Sequence, residues 1–389
     1  MKFLVVFRKT LREMSRDKWM LGLTLAFAPF FVFVYWLITA GGSTTYTILV
    51  INHDAGVQLS DGSSFNAGEG VITAIAGITY ADGKPLLKAV PIASQVEVEP
   101  TLRNRGAAAF LLLPENFSRI LQDLKGGDRS VTARITFGGD LSNPYYMVGV
   151  NLALTAVEGY VQKATGQPPL IQYAEQALGA TATRSEFETY VPGTLVFAVI
   201  LLIFLASMIV AREIETGTLR RLQLSSVTSL DLLGGITAAL VLVGTAAFAL
   251  AFLVALAVGF RSQGPVWLAF LVGALSTFSV IGLGMVVASF TRTVSHAFVV
   301  ANFPLGLMMM FSGVIYPLPM VRLFSIAGHD FGLYDFLPPT HAVAALNKIL
   351  TLGAGPGGVT YELAALTVLS VIYFALGVWL FRRFHLRTV

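Results

Sequence analysis

Nucleophiles, metal ligands and phosphate loops are what would give this 389-residue chain a reaction to catalyse, and none of them falls in a working pattern. The five histidines, His53, His296, His329, His341 and His385, are scattered without ligand spacing. There is no cysteine, which removes disulfides, thiolate metal sites and thiol nucleophiles. No GxSxG, HExxH or CxxC occurs. The nearest approach to a phosphate loop runs from Gly77 to Gly83-Lys84-Pro85; its spacing is too long, and proline stands where a magnesium-binding hydroxyl belongs. Asn116-Phe117-Ser118 has the form of a glycosylation sequon, a triplet that chance supplies often. Acidic residues are nearly missing from the long apolar stretches, which argues against a proton or sodium relay. The sequence offers no catalytic residue, no metal site and no cofactor site of its own.

Charge does gather at residues 211–231. Arg212-Glu213-Ile214-Glu215-Thr216-Gly217-Thr218-Leu219-Arg220-Arg221-Leu222 reads as a helix ending near Gly217, with Thr218 capping a short second helix. A stiff charged elbow suits a lever that takes force from a soluble partner; a solvated connector has the same charge pattern, and on that pattern alone is favoured. Asn302 and Pro304 interrupt another apolar stretch, where proline frees a carbonyl and kinks the helix. Residues 319–358 mix Arg322, His329, Asp330, Asp335, Pro338, Pro339 and Lys348 with apolar side chains, a texture that fits short re-entrant or interfacial helices.

The elements that hold these residues are set by composition. Charged residues make 12% of the chain and apolar ones 55%, with a mean hydropathy of +0.73. A soluble fold could not coat that much apolar surface, and disorder is excluded by the same numbers. A net charge of +4 without a basic, aromatic-interleaved face makes nucleic acid a poor partner. Six charge-poor stretches can span a bilayer: Trp19–Ala40, Val191–Ala211, Leu232–Phe260, Gly264–Thr291, Thr293–Val321 and Leu363–Phe381. Half of the 26 basic residues fall in residues 1–18, 212–231, 292 and 382–389, which predicts cytoplasmic termini. Residues 1–18 read as an amphipathic interfacial helix with Phe3, Leu4, Phe7, Leu11 and Met14 on its apolar side. The first span, 19–40, is too long for a signal peptide core and is expected to be a retained anchor.

Residues 41–190 are turn-rich and charged, and predict a small extracytoplasmic α+β domain. Strands are expected at Thr45–Ile51, Ala93–Val98, Ala107–Leu113 and Val131–Phe137. Helices are expected at Gly70–Ile78, from Pro114 to Lys125, and at Asn143–Ala164. The remainder, 191–389, forms a five-helix membrane domain.

The wording of several segments resembles the ABC-2-type transporter permeases, the membrane subunits of ATP-binding-cassette exporters. Glu213-Ile214-Glu215-Thr216-Gly217-Thr218-Leu219 resembles the E-x-E-x-G-T-L stretch after the family's second span, and Phe7-Arg8-Lys9-Thr10-Leu11-Arg12-Glu13 its N-terminal interfacial helix. Phe311-Ser312-Gly313-Val314-Ile315-Tyr316-Pro317 resembles its signature at the outer end of the fifth span, and Leu337-Pro338-Pro339-Thr340-His341-Ala342-Val343 the segment before the last. Asn52-x-Asp54-x-Gly56 and Leu113-Pro114-Glu115-Asn116-Phe117 are similar to stretches of the branch with a long insert. Arg220, and the serines after it, stand where relatives usually carry an acid and a proline.

The resemblance implies a six-span permease in the cell membrane that works as a homodimer or with a similar permease, among membrane lipid. ATP and magnesium are expected on a separate ATPase, docked at an elbow of Arg212, Glu213, Glu215, Gly217, Thr218, Leu219, Arg220, Arg221 and Leu222. Asn302, Pro304, Gly313, Pro317, His341 and Glu362 are the implied pathway or gate residues. The rival reading is a non-transporting receptor or scaffold that binds through the insert.

Overall fold

A computed structural model describes residues 2–40, 44–59, 62–80, 83–93, 95–103, 106–128, 130–141, 143–167, 186–218, 227–315, 321–326 and 329–386. The protein is a polytopic α-helical membrane protein with six spanning helices and a small sheet-containing insert. It divides into a helical unit, Met1–Ile38 with Ala177–Val389, and a second unit, Thr39–Gln176.

Helix α1 (Lys2–Arg16) opens the helical unit and buries Val6, Thr10 and Met14, one residue from every helical turn. That stripe is rotated from the expected one: Phe3 and Leu4 are exposed. The reason lies in the surface that receives α1, where Gly234 and Gly235 leave room for it; a Cβ on Gly235 would sit 2.7 Å from the Val6 Cβ. Asp17 then ends α1 and starts α2 (Lys18–Ala40), its Oδ1 accepting the Met20 N–H at 3.0 Å as an N-cap does.

The insert unit is a four-stranded sheet with helices on both faces. In chain order its elements are β1 (Tyr46–Asn52), β2 (Val57–Gln58), β3 (Ser64–Phe65), α3 (Ala67–Ala76), β4 (Leu87–Pro91), α4 (Val98–Arg103), β5 (Ala109–Leu113), α5 (Phe117–Lys125), β6 (Thr136–Gly138) and α6 (Pro144–Thr165). The order is β4-β1-β5-β6, with β1 parallel to both neighbours and β6 antiparallel to β5. Strand side chains alternate faces, so Ile48 and Val50 join a core with α3, α5 and α6. Leu49 and Ile51 meet Val98 of α4 on the other face. A central parallel strand covered twice explains the unbroken apolar run Ile48–Ile51 in β1.

Three expectations for the insert change. Residues 95–97 form a 3-10 turn leading into α4 rather than a strand, because Glu97, Glu99 and Pro100 suit a helix start; β4 lies earlier, at Leu87–Pro91. Pro114 precedes α5 by a turn, its carbonyl accepting the Phe117 N–H at 3.2 Å. Of the fourth expected strand, Val131–Phe137, only Thr136 and Phe137 pair, and the paired strand runs on to Gly138.

Asp54, buried, fastens the ends of β1, α3 and α5 together. Its Oδ1 accepts the Ser118 N–H at 2.9 Å, and its Oδ2 accepts the Gly68 N–H at 3.1 Å and the Ser118 hydroxyl at 2.5 Å. Ser118 Oγ in turn accepts the Ala67 N–H at 2.8 Å. The Asn-x-Asp motif and the sequon-like triplet are thus two halves of one hydrogen-bonded clasp, which satisfies a buried charge as burial requires.

The helical unit continues with α7 (Glu186–Ile200) and α8 (Leu202–Glu215), which together make the span Phe187–Glu215. It then runs through α9 (Ser229–Ala257), α10 (Val266–Ser289) and α11 (Val294–Phe311). A hairpin of β7 (Arg322–Ile326) and β8 (His329–Gly332), the short buried helix α12 (Pro338–Leu346) and a π-turn at Asn347–Thr351 lead to α13 (Thr360–Phe381). The charged stretch after the fifth span is therefore part hairpin and part helix, since Phe324 and Phe331 stack across the two strands with ring centroids 5.2 Å apart.

Helix α10 is the centre of the bundle. Close approach is bought with small residues: Cβ atoms on Gly284, Gly282 and Gly377 would lie 2.6 Å from Ala206 Cβ, 2.9 Å from Phe374 N and 2.9 Å from Met285 Cβ. The Ser279 and Ser370 hydroxyls, 2.5 Å apart, join α10 to α13.

Candidate functional site

The last turn of α8 carries Glu213 and Glu215. Positions two apart on a helix differ by about 200° in direction, so the two carboxylates face different neighbours. Glu213 turns inward, its side chain 10% exposed, and Lys9 of α1 donates to its Oε1 at 2.6 Å. Lys9 also lies 3.5 Å from Glu13. Glu215 turns the other way, and its Oε2 accepts the Val294 N–H at 2.8 Å, the first turn of α11. An acid there complements the helix dipole, and Thr293 caps the same turn by accepting from His296 N–H at 3.2 Å. One helix end thereby grips the surface helix with one acid and the start of the fifth span with the other.

Gly217 ends α8 with φ +69°, a left-handed conformation that glycine takes at least cost. Thr216 closes the helix, donating its N–H and its hydroxyl to the Arg212 carbonyl at 2.9 and 2.8 Å. Arg212 is exposed, and among the described residues no carboxylate meets its guanidinium. Thr218 lies 2.9 Å from Thr216, hydroxyl to hydroxyl. Leu219, Arg220, Arg221 and Leu222, and the short second helix expected there, lie outside the described residues.

The other candidates sit elsewhere. Asn302 is exposed on α11 and donates back to the Phe298 carbonyl at 2.8 Å, two residues before Pro304. Gly313, φ +73°, turns the chain after α11, where the Val314 carbonyl leaves no room for a side chain on Gly193. Pro317 lies outside the described residues. His341 of α12 is buried, its Nε2 2.9 Å from the Asp335 carbonyl and its ring near Tyr361. Glu362, the acid in the first turn of α13, has a side chain only 6% exposed and accepts from Lys348 at 2.5 Å. The elbow and the His341–Glu362 group are at opposite ends of the helical bundle: α8 ends at Glu215 and α13 begins at Thr360, while Glu215 meets the start of α11 and His385 meets the Ser289 carbonyl at 3.0 Å.

Sequence reasoning named both elbow acids but not their partners. The i, i+2 spacing was the available signal that they serve two neighbours. The Lys348–Glu362 pair had none, because its members lie on separate elements.

Six apolar spans, with α8 joined through its acids to α1 and α11 at one end and a half-exposed lysine paired with a buried glutamate at the other, make this a multi-pass membrane protein. Residues 18–379 match the family described as ABC-2 family transporter protein, and the chain belongs to it. It is accordingly a transport permease subunit of the ATP-binding-cassette systems, a family that normally works with an ATP-binding-cassette ATPase. No curated protein matches the chain.

Proposed function

We propose that the chain is the permease of an ATP-driven exporter, with its termini and the 211–231 elbow in the cytoplasm and its insert outside. Two copies, or this chain and a similar permease, form the conduit, and an ATPase subunit docks below each elbow. ATP and magnesium bind on that partner alone. The observation that carries this reading is the double grip of α8: a push on the elbow reaches α1 through Glu213 and Lys9 and reaches α11 through Glu215. Asn302 supports the pairing of two chains, because a polar side chain on a spanning helix ordinarily faces protein rather than lipid. Lateral access from the bilayer would suit a lipid or a hydrophobic drug as substrate.

The test uses Gly217→Val. A Cβ there meets nothing within 4 Å, so the change strains the elbow backbone alone, by about 1–2 kcal/mol. Normal membrane insertion with loss of ATPase-coupled export is the expected result, and nucleotide binding by the purified chain is expected to be absent. Full export by the variant, or tight nucleotide binding without a partner, overturns the reading. A receptor that signals through the insert would tolerate the substitution.

A further inference from the structure

A cleft of 560 Å³ opens between the first turn of α9 and the last turns of α13, at the bundle end that carries the elbow. Its wall changes character along its length. Phe374 and Val378 of α13 and Arg382, the first residue after it, follow one another every four residues, so the apolar side chains lie deeper in the membrane than the guanidinium, by about 1.5 Å per residue. Arg383 joins Arg382 at the mouth, and its guanidinium lies over the Trp379 ring at 5.4 Å. Among the described residues neither arginine has a carboxylate partner. The same turn widens to a π-helix over Arg382–Leu386, a distortion that recurs at functional sites.

The facing wall belongs to α9. Thr228 caps that helix and occupies Asp231, whose Oδ2 accepts the Thr228 N–H at 3.0 Å and hydroxyl at 2.6 Å. The acid nearest the cleft is therefore already engaged. Ser229 and Leu230, both in the lining, follow the cap in the first turn, where backbone N–H groups lack helical partners.

We propose that this cleft holds one anionic phospholipid, with its head-group phosphate between Arg382 and Arg383 and an acyl chain along Phe374 and Val378. The two arginines, which meet no carboxylate among the described residues, select the charge, the apolar wall selects an amphiphile over a free anion, and the depth places the phosphate at the membrane surface. The inference needs only that the chain spans a bilayer, and stands apart from the transport reading.

The full chain, purified in a neutral detergent, is assayed by native mass spectrometry and by thermal unfolding with added phosphatidylglycerol, phosphatidylcholine or inorganic phosphate. Phosphatidylglycerol is expected to remain bound and to raise the unfolding temperature, phosphatidylcholine and phosphate far less. Arg382→Gln and Arg383→Gln should each weaken the lipid about fivefold, as about 1 kcal/mol per interfacial cation implies. Ala375→Trp should displace the lipid by filling the cleft while both arginines remain. Equal binding of phosphatidylcholine, protection by phosphate alone, or unchanged affinity in all three variants refutes the proposal. The exposed arginines make the glutamine variants safe for folding, and a single sharp size-exclusion peak confirms it.

Discussion

Lys9→Met probes the tie between α1 and α8 directly. Lys9 is the sole hydrogen-bond donor to the Glu213 carboxylate among the described residues, at 2.6 Å. Removing one member of a fully buried ion pair costs about 3–5 kcal/mol, because the other charge is left desolvated. Lys9 is 38% exposed, however, so water replaces part of what it gives and the expected loss falls to about 1.5–3 kcal/mol, the range of a single charge-assisted hydrogen bond. Glu213→Gln should cost less, since the amide leaves no stranded charge. The decisive quantity is the double variant: if the two groups work as a pair, its loss falls short of the summed single losses by about 1–2 kcal/mol. Chemical unfolding of the four proteins in one detergent measures this. Losses that add within about 0.5 kcal/mol would show that the contact carries no coupling, and α1 would then be a surface anchor independent of the elbow.

Glu215→Ala removes the acid from the α11 N-terminus at a cost of about 1 kcal/mol, and hydrogen exchange at Val294 should quicken while α13 is unaffected. Ser118→Ala strips Asp54 of one hydroxyl bond and Ala67 of its acceptor, which should lower the stability of the insert by about 2–3 kcal/mol, read as exchange across α3 and α5 in the intact chain. Burial, and then the Asp54 charge, raise the Tyr160 phenol above its ordinary value. Folding therefore favours its protonated form, so its contribution is complete below about pH 10 and is lost as pH rises through the folded value. Tyr160→Phe should keep the insert folded to higher pH than the parent chain, and an identical alkaline midpoint in both would refute that assignment.

The six spans were readable because the bilayer demands long apolar runs whatever the neighbours are; structure moved most of their ends by a few residues, as with Phe187–Glu215 in place of Val191–Ala211, but ended the fifth helix at Phe311 where Thr293–Val321 was expected. The insert's central strand was readable from its apolar run, whereas Leu87–Pro91 was not, because a parallel strand carrying a lysine and a terminal proline has no period to read. The rotation of α1 escaped for a related reason. Periodicity marks an apolar face, but Gly234 and Gly235 on another helix decide which flank is buried. At the site, E-x-E announced itself through residue type, yet its meaning lies in contacts 204 and 79 positions away along the chain. The Arg382–Arg383 cleft was spelled only as two basic residues after an apolar run, the same spelling as any topology signal.

The glycines and serines that bring α10 against α8 and α13 leave no slack for a stroke. Sliding one of those helices by even part of a turn would drive a side chain into backbone, which makes the three one packing unit. Enclosure varies more widely than contact does: 61% of the apolar windows of α10 and of the α7–α8 span is covered, against 22% for both α11 and α13 and 11% for α2. At the elbow end the more enclosed α8 and the less enclosed α11 are joined through Glu215, which accepts the Val294 N–H.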